Sequence, residues 1–161
     1  MGKVLSRFQN GFPGAVSRSV DDIVISMRNA NGGDIPFGTP VFMVDGENAC
    51  RGFNVDTSTG DNFVGFAVRI ADKTPDEYGS SAGSYAPGDP VDVLVRGSLV
   101  INAETAAAAP GAGVYIRKSD GKIVTVAGAE GTTLRLPGVT VRTVRDENKA
   151  IEVVLTRRNL I

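Results

Sequence analysis

The sequence contains no histidine and no tryptophan, and it has a single cysteine among 161 residues. Without histidine the chain cannot form a Ser-His-Asp or Cys-His catalytic group, and it lacks a common zinc ligand. A lone cysteine, Cys50, excludes a disulfide within the chain, and we interpret it as a half-buried apolar residue. We therefore expect a protein that is not an enzyme and that holds no metal or other cofactor.

The chain also lacks a charge excess and long apolar runs. Its 17 basic and 18 acidic residues give a formal net charge of -1, so no long-range field would draw it to nucleic acid or to an anionic membrane. No apolar run approaches the roughly 18 residues typical of a membrane span, and no secretory signal is recognisable. We expect neither nucleic acid nor a membrane as a partner.

Turn-forming residues are plentiful, with 20 glycines and 8 prolines. The apolar residues between them come in short bursts of valine, isoleucine and alanine, which predicts an all-β fold with few or no helices. A short turn motif, [FP]-G-x-[PG]-V, occurs at residues 37–41, 87–91 and 110–114, each time before an apolar run. Proline restricts φ and glycine adopts positive φ, so we interpret each copy as the start of a strand.

Further strands are predicted at residues 23–27, 63–70, 122–126, 138–145 and 149–157. An Asp-Gly pair at 120–121 predicts a two-residue type I′ hairpin, and residues 145–149 predict a longer hairpin tip. In the hairpin that this tip closes, Glu152 is expected on the solvated face.

The longest predicted strand follows Pro90 and is interrupted at Gly97 and Ser98. A glycine within a strand weakens a flat ladder but allows a barrel wall to bend, so we predict a bulge there. The odd-numbered apolar residues are expected to share one face: Val91, Val93, Val95, Leu99 and Ile101. Leu94 and Val100 fall on the opposite face, which makes them candidate contacts between subunits.

Residues 1–20 show no sustained helical or strand period, so we predict an extended N-terminal arm before a barrel-like domain at residues 21–161. Such an arm cannot form a core of its own. Two interpretations remain open: the arm docks on another protein, or it folds back over its own domain. For the first, the candidate contact residues are Val4, Leu5, Phe8, Phe12 and Pro13.

Several weaker patterns resemble functional sites. Residues 54–61 resemble a calcium loop but lack the glutamate required at its twelfth position, so we predict an Asx-rich turn. The adjacent carboxylates Asp21 and Asp22 are interpreted as surface charge rather than an acid/base pair. Residues 51–60 and 76–79 echo two motifs of trimeric dUTPases, in the reverse of their order along the chain, so a hydrolase of that class is a lesser alternative.

Taken in order, eight segments of the chain together resemble the phage structural cement or capsid decoration proteins of tailed-phage heads. These segments are residues 12–16 (FPGAV), 23–28, 35–41 (IPFGTPV), 63–69 (FVGFAVR), 85–97, 111–115 (GAGVY), 136–139 (LPGV) and 150–155.

The resemblance implies a single small β-barrel or β-tulip domain in the virion, often trimeric, on the outer surface of an icosahedral capsid. It would stabilise contacts between neighbouring major capsid protein subunits, and it carries no catalytic residues. A tail or head-to-tail joining component is the alternative from the same context.

Overall fold

The computed structural model describes residues 10–70, 83–105 and 109–156, with the backbone alone at residues 19 and 20. These residues form eleven strands and no helix, so none of the described segments is a helix that could cross a membrane. The strands are β1 (Val16–Asn29), β2 (Ile35–Pro36), β3 (Pro40–Met43), β4 (Ala49–Arg51), β5 (Phe63–Ala67), β6 (Ser84–Tyr85), β7 (Pro90–Asn102), β8 (Gly113–Arg117), β9 (Ile123–Val124), β10 (Thr133–Val141) and β11 (Ala150–Leu155). The predicted all-β class is confirmed.

The three repeated turns begin β3, β7 and β8, as predicted. Their glycines Gly38, Gly88 and Gly111 have φ values of 74°, 85° and 87°. This is the left-handed region that other residues rarely adopt, which explains why glycine recurs at the same position of each turn.

Five strands close into a barrel in the order β1-β4-β3-β5-β7, because β7 pairs back onto β1. A second group of strands, β11-β10-β8-β9, extends from β7, and β2 and β6 form a separate two-stranded sheet. The thirteen-residue strand β7 belongs to both groups. One edge of β7 pairs with β1 from Pro90 to Leu99, and the other edge pairs first with β5 and then with β11.

Two apolar cores follow from this arrangement. The first fills the barrel and contains Met27, Ile35, Phe37, Val41, Cys50, Val64, Ala67, Tyr85, Val91, Val93 and Val95. The second lies between the outside of the barrel and the strands β8 to β11. It is built around Phe42, Phe63, Phe66, Leu94, Leu99, Ile101, Ile116, Leu136 and Ile151.

The strand β7 changes core at the predicted bulge. Val93 and Val95 face the barrel interior, whereas Leu99 and Ile101 face the second core together with Leu94. Gly97 has a φ of 120°, and the pairing with β1 shifts on both sides of it. An extra residue at a bulge reverses the alternation of side chains beyond it. The bulge prediction is therefore confirmed, and the prediction of one common face for the odd-numbered residues is wrong.

Several predicted boundaries also change. Strand β1 begins at Val16 rather than at residue 23, so residues 16–20 of the predicted arm are part of a strand. Strand β10 continues through Pro137 and Gly138, where its pairing with β8 is interrupted by a shift. The loop at 118–121 has four residues, of which only Gly121 has positive φ, so it is not a type I′ turn.

Candidate functional site

The first described residues, 10–15, lie along the second half of β7 and are called the N-terminal clip below. The Gly14 N–H donates to the Val100 carbonyl at 2.8 Å, and the Val100 N–H donates to the Ala15 carbonyl at 2.9 Å. The Arg69 N–H donates to the Gly14 carbonyl at 2.8 Å. These bonds fasten the clip to β7 and to the segment that follows β5.

Two glycines make this close approach possible. A Cβ on Gly14 would lie 2.9 Å from the amide nitrogen of Gly38, and a Cβ on Gly38 would lie 2.7 Å from that of Gly14. Both distances are shorter than real Cβ contacts, and both residues have positive φ. Gly38 thus starts β3 and also receives the clip, a second role that its turn motif did not reveal.

Asn10 ties the beginning of the clip to the hairpin between β10 and β11. Its backbone N–H donates to Asp146 Oδ2 at 2.9 Å. Its side-chain amide donates to the carbonyls of Val144, at 2.9 Å, and Ala150, at 2.7 Å. Sequence reasoning missed this residue, because nothing near Asn10 in the chain indicates a partner more than 130 residues away.

The structure describes two of the five predicted arm contacts, Phe12 and Pro13. Val4, Leu5 and Phe8 lie outside the described residues. Pro13 is buried against Gly38, so it fastens the clip to the barrel rather than offering a free surface. Phe12 remains 43% exposed, and the guanidinium carbon of Arg69 lies 5.1 Å from its ring centroid.

The candidate subunit contacts Leu94 and Val100 are buried within the chain, at 0% and 1% exposure. Leu94 packs in the second core, and the clip lies over Val100, with one Val100 methyl carbon 3.6 Å from where a Gly11 Cβ would lie. Neither side chain is therefore available to a second subunit. The second apolar face of β7 exists because β7 separates two layers of the same chain.

Glu152 of β11 forms polar contacts with the first residues of β1. Glu152 was expected on a solvated face but is buried, because the first residues of β1 cover it. Its Oε1 accepts a hydrogen bond from Ser17 Oγ at 2.9 Å and from Arg18 Nε at 3.0 Å. These contacts join the beginning of β1 to β11.

Asp22 is also not a plain surface charge. Its Oδ1 is buried next to Gly97 and has no hydrogen-bond partner among the described residues. Burial raises the pKa of the Asp22 carboxyl, which is partly offset by a hydrogen bond from the Ser98 backbone. The neighbouring Asp21 does carry a surface charge and forms an ion pair with Arg96 at 2.6 Å.

The described residues hold no cluster of three or more metal-ligating side chains. Residues 54–58 form the predicted Asx turn, in which the Asp56 N–H donates to Asn54 Oδ1 at 2.9 Å. Of the two dUTPase-like segments, residues 76–79 lie outside the described residues. Cys50 is fully buried rather than half-buried, and burial raises the pKa of its thiol to about 11.

Most of the chain matches a known protein family. The family model described as "Structural cement protein (E217 gp24/Pam3 gp6)" matches residues 3–156. The chain belongs to the structural cement protein family. The match spans the clip, the barrel and the strands of the second core, and the family is described by a structural role. The resemblance noted in the sequence is thereby confirmed.

One solved structure shares the fold of this chain over nearly its whole length. A chain from the capsid of Myoviridae phage XM1 has a TM-score of 0.71 and 18% identity, over 97% of this chain and 96% of that chain. At this identity the likeness establishes a shared fold. The head fiber gp8.5 N base of bacteriophage phi29 is a weaker match, with a TM-score of 0.43 and 11% identity over 86% of this chain and 99% of that chain. No curated protein sequence matches the chain.

Proposed function

We propose that this cement-family chain binds the outer surface of the icosahedral capsid of its phage and stabilises contacts between neighbouring major capsid protein subunits. The family match over residues 3–156 is the observation that carries this proposal. A trimeric state and a purely non-enzymatic role are parts of the same proposal.

The surface of the folded domain supports a modest interface for each copy. Among the described residues, the exposed large apolar side chains are Phe12, Val16, Val24, Val55, Val126 and Val144. Five of these six are valines, so each offers only a small apolar area to a partner. Many identical sites on one shell, and several contacts in each oligomer, would supply avidity instead.

We assign the arm residues Val4, Leu5 and Phe8 to contacts with the capsid protein. Burying each such side chain contributes about 1.5–3 kcal/mol, whereas ordering the backbone costs about 1–2 kcal/mol per residue. Three such side chains therefore contribute about 4.5–9 kcal/mol, less the cost of any backbone that binding fixes. Contacts from the domain beside the arm would add to this contribution, and residues 10–15 are already held in place by the hydrogen bonds of the clip.

The test is co-sedimentation of the purified chain with capsids of its own phage that lack this protein. We expect the chain to pellet with the capsids and to raise the temperature at which they disrupt. A variant lacking residues 2–9 should keep its far-UV circular dichroism spectrum, because the clip remains. It should bind capsids more weakly, because Val4, Leu5 and Phe8 are absent. A folded chain that stays in the supernatant would contradict the proposal.

Two further measurements test the finer points. A native mass other than that of three chains would overturn the trimer. Labelling at the neck or tail of the virion, instead of over the capsid, would favour a joining role.

A further inference from the structure

We propose that the tip of the β10–β11 hairpin, together with Asn10, lies directly on the capsid protein. We call Asn10 together with residues 144–149 the arm-root surface. This inference rests on the proposed capsid-binding function and specifies which face of the domain performs it.

The first step is the place where the arm leaves the domain. Residues 1–9 precede Asn10, which is held by three hydrogen bonds to Val144, Asp146 and Ala150. Nine extended residues span at most about 30 Å. Any protein that the arm contacts must therefore come within that distance of the hairpin tip.

The second step is the order within the tip itself. Asp146 Oδ1 accepts hydrogen bonds from the N–H groups of Asn148 and Ala150, both at 2.9 Å. Arg145 Nη1 donates to the carbonyls of Ala103, at 3.1 Å, and Glu104, at 2.8 Å. A loop that is already fixed loses little conformational entropy when it binds a partner. The tip can therefore supply a rigid contact to the capsid protein.

The third step is the exposed apolar side chain at this point. Val144 is 49% exposed, and its carbonyl accepts the bond from the Asn10 side chain. The residues that follow it in the tip are charged or polar, from Arg145 to Lys149. An apolar side chain within a polar rim is the usual arrangement of a small protein–protein contact.

The charge of the arm indicates the chemistry of the partner. Residues 1–9 contain Lys3 and Arg7 and no acidic residue. We therefore assign to the major capsid protein an apolar patch that receives Val144, with acidic residues beside it that face the arm. Binding should weaken as salt concentration rises, because the charged contacts at the rim are screened.

The test compares three exposed valines. Val144→Asp should weaken binding to capsids about tenfold or more, because it places a charge in the apolar contact. Val55→Asp and Val126→Asp are matched controls, since these residues are 54% and 59% exposed and line two other surface grooves. Both controls should bind within about twofold of the unchanged chain, as expected for residues outside the contact.

Asn10→Ala provides a second variant at the arm root. It should weaken capsid binding while leaving the unfolding midpoint close to that of Val55→Asp. In hydrogen exchange, the Gly14 amide, which donates to the Val100 carbonyl, should lose protection more than the amides of β7.

The outcomes separate this inference from the proposed function. If the unchanged chain does not bind capsids, the proposed function fails. If it binds and Val144→Asp binds equally well, the arm-root surface is wrong. If Val144→Asp changes the native mass of the protein but not capsid binding, the surface contacts a second copy of this chain, and the assignment to capsid protein is overturned.

Discussion

Replacing Gly97 with alanine perturbs the bend that lets β7 serve both cores. The residue has a φ of 120°, and an added Cβ would overlap Asp22 Oδ1 and lie 3.0 Å from its Cγ. The strained backbone costs about 1–3 kcal/mol. The overlap also forces the Asp22 side chain and its neighbours to shift, a further loss of about 1–3 kcal/mol that is typical of overpacking. We therefore expect Gly97→Ala to lower the free energy of unfolding by about 2–6 kcal/mol.

A double-mutant cycle separates the two contributions. In an Asp22→Ala background the overlapping carboxylate is absent, so Gly97→Ala should cost only the strain of about 1–3 kcal/mol. Gly88→Ala is the matched control, because its φ is 85° and nothing lies within 4 Å of an added Cβ. Urea unfolding followed by far-UV circular dichroism, at one protein concentration, measures each value. Additive effects of the Gly97 and Asp22 changes, within about 0.5 kcal/mol, would refute the role of Asp22.

Three further predictions concern single ionisable groups. The thiol pKa of Cys50 is about 11, against an ordinary value of 9.0. Cys50 should therefore resist alkylation at pH 8 and react once urea unfolds the chain. Rapid alkylation of the folded protein would contradict the burial of this residue. A hydrogen bond from Arg117 lowers the pKa of the Asp120 carboxyl to about 2, so its stabilising effect is complete above the unfolded value and is lost as pH falls toward 2. An NMR titration should show that midpoint, and Arg117→Gln should return it toward 3.8. Burial raises the pKa of the Asp22 carboxyl, so its effect on stability has the opposite pH dependence. The stabilisation is present below the pKa of the unfolded chain and is lost as pH rises through the pKa of the folded chain. Asp22→Asn should abolish that loss when the free energy of unfolding is measured against pH.

Local signals predicted those parts of the fold that depend on neighbouring residues. The turns at Gly38, Gly88 and Gly111 precede strands. Within such turns proline restricts φ and glycine adopts positive φ, and both effects depend only on residues in the turn itself. The bend at Gly97 was predictable for the same reason. Strands of two or three residues, such as β2, β4 and β6, were missed because so short a run has no measurable period.

The candidate site was less predictable. An unpatterned segment with glycines and proline indicated that the chain before β1 would not build a core, and residues 10–15 indeed depend on the barrel for their contacts. The partners of Asn10 lie in a hairpin at the other end of the chain. Glu152 appeared solvated from its alternation with valines, but the first residues of β1 cover it.

The all-β class, the starts of the repeated-turn strands, the bend at Gly97 and the family could be predicted, because each follows from local backbone preference or from the order of motifs along the chain. The folded structure was needed to show that β7 separates two cores, that Leu94 and Val100 are internal, and that the clip begins beside Val144. These features arise from pairing between segments far apart in the chain. A one-residue bulge at Gly97 reverses which face of β7 meets which partner, and alternation of residues in the sequence does not record that change.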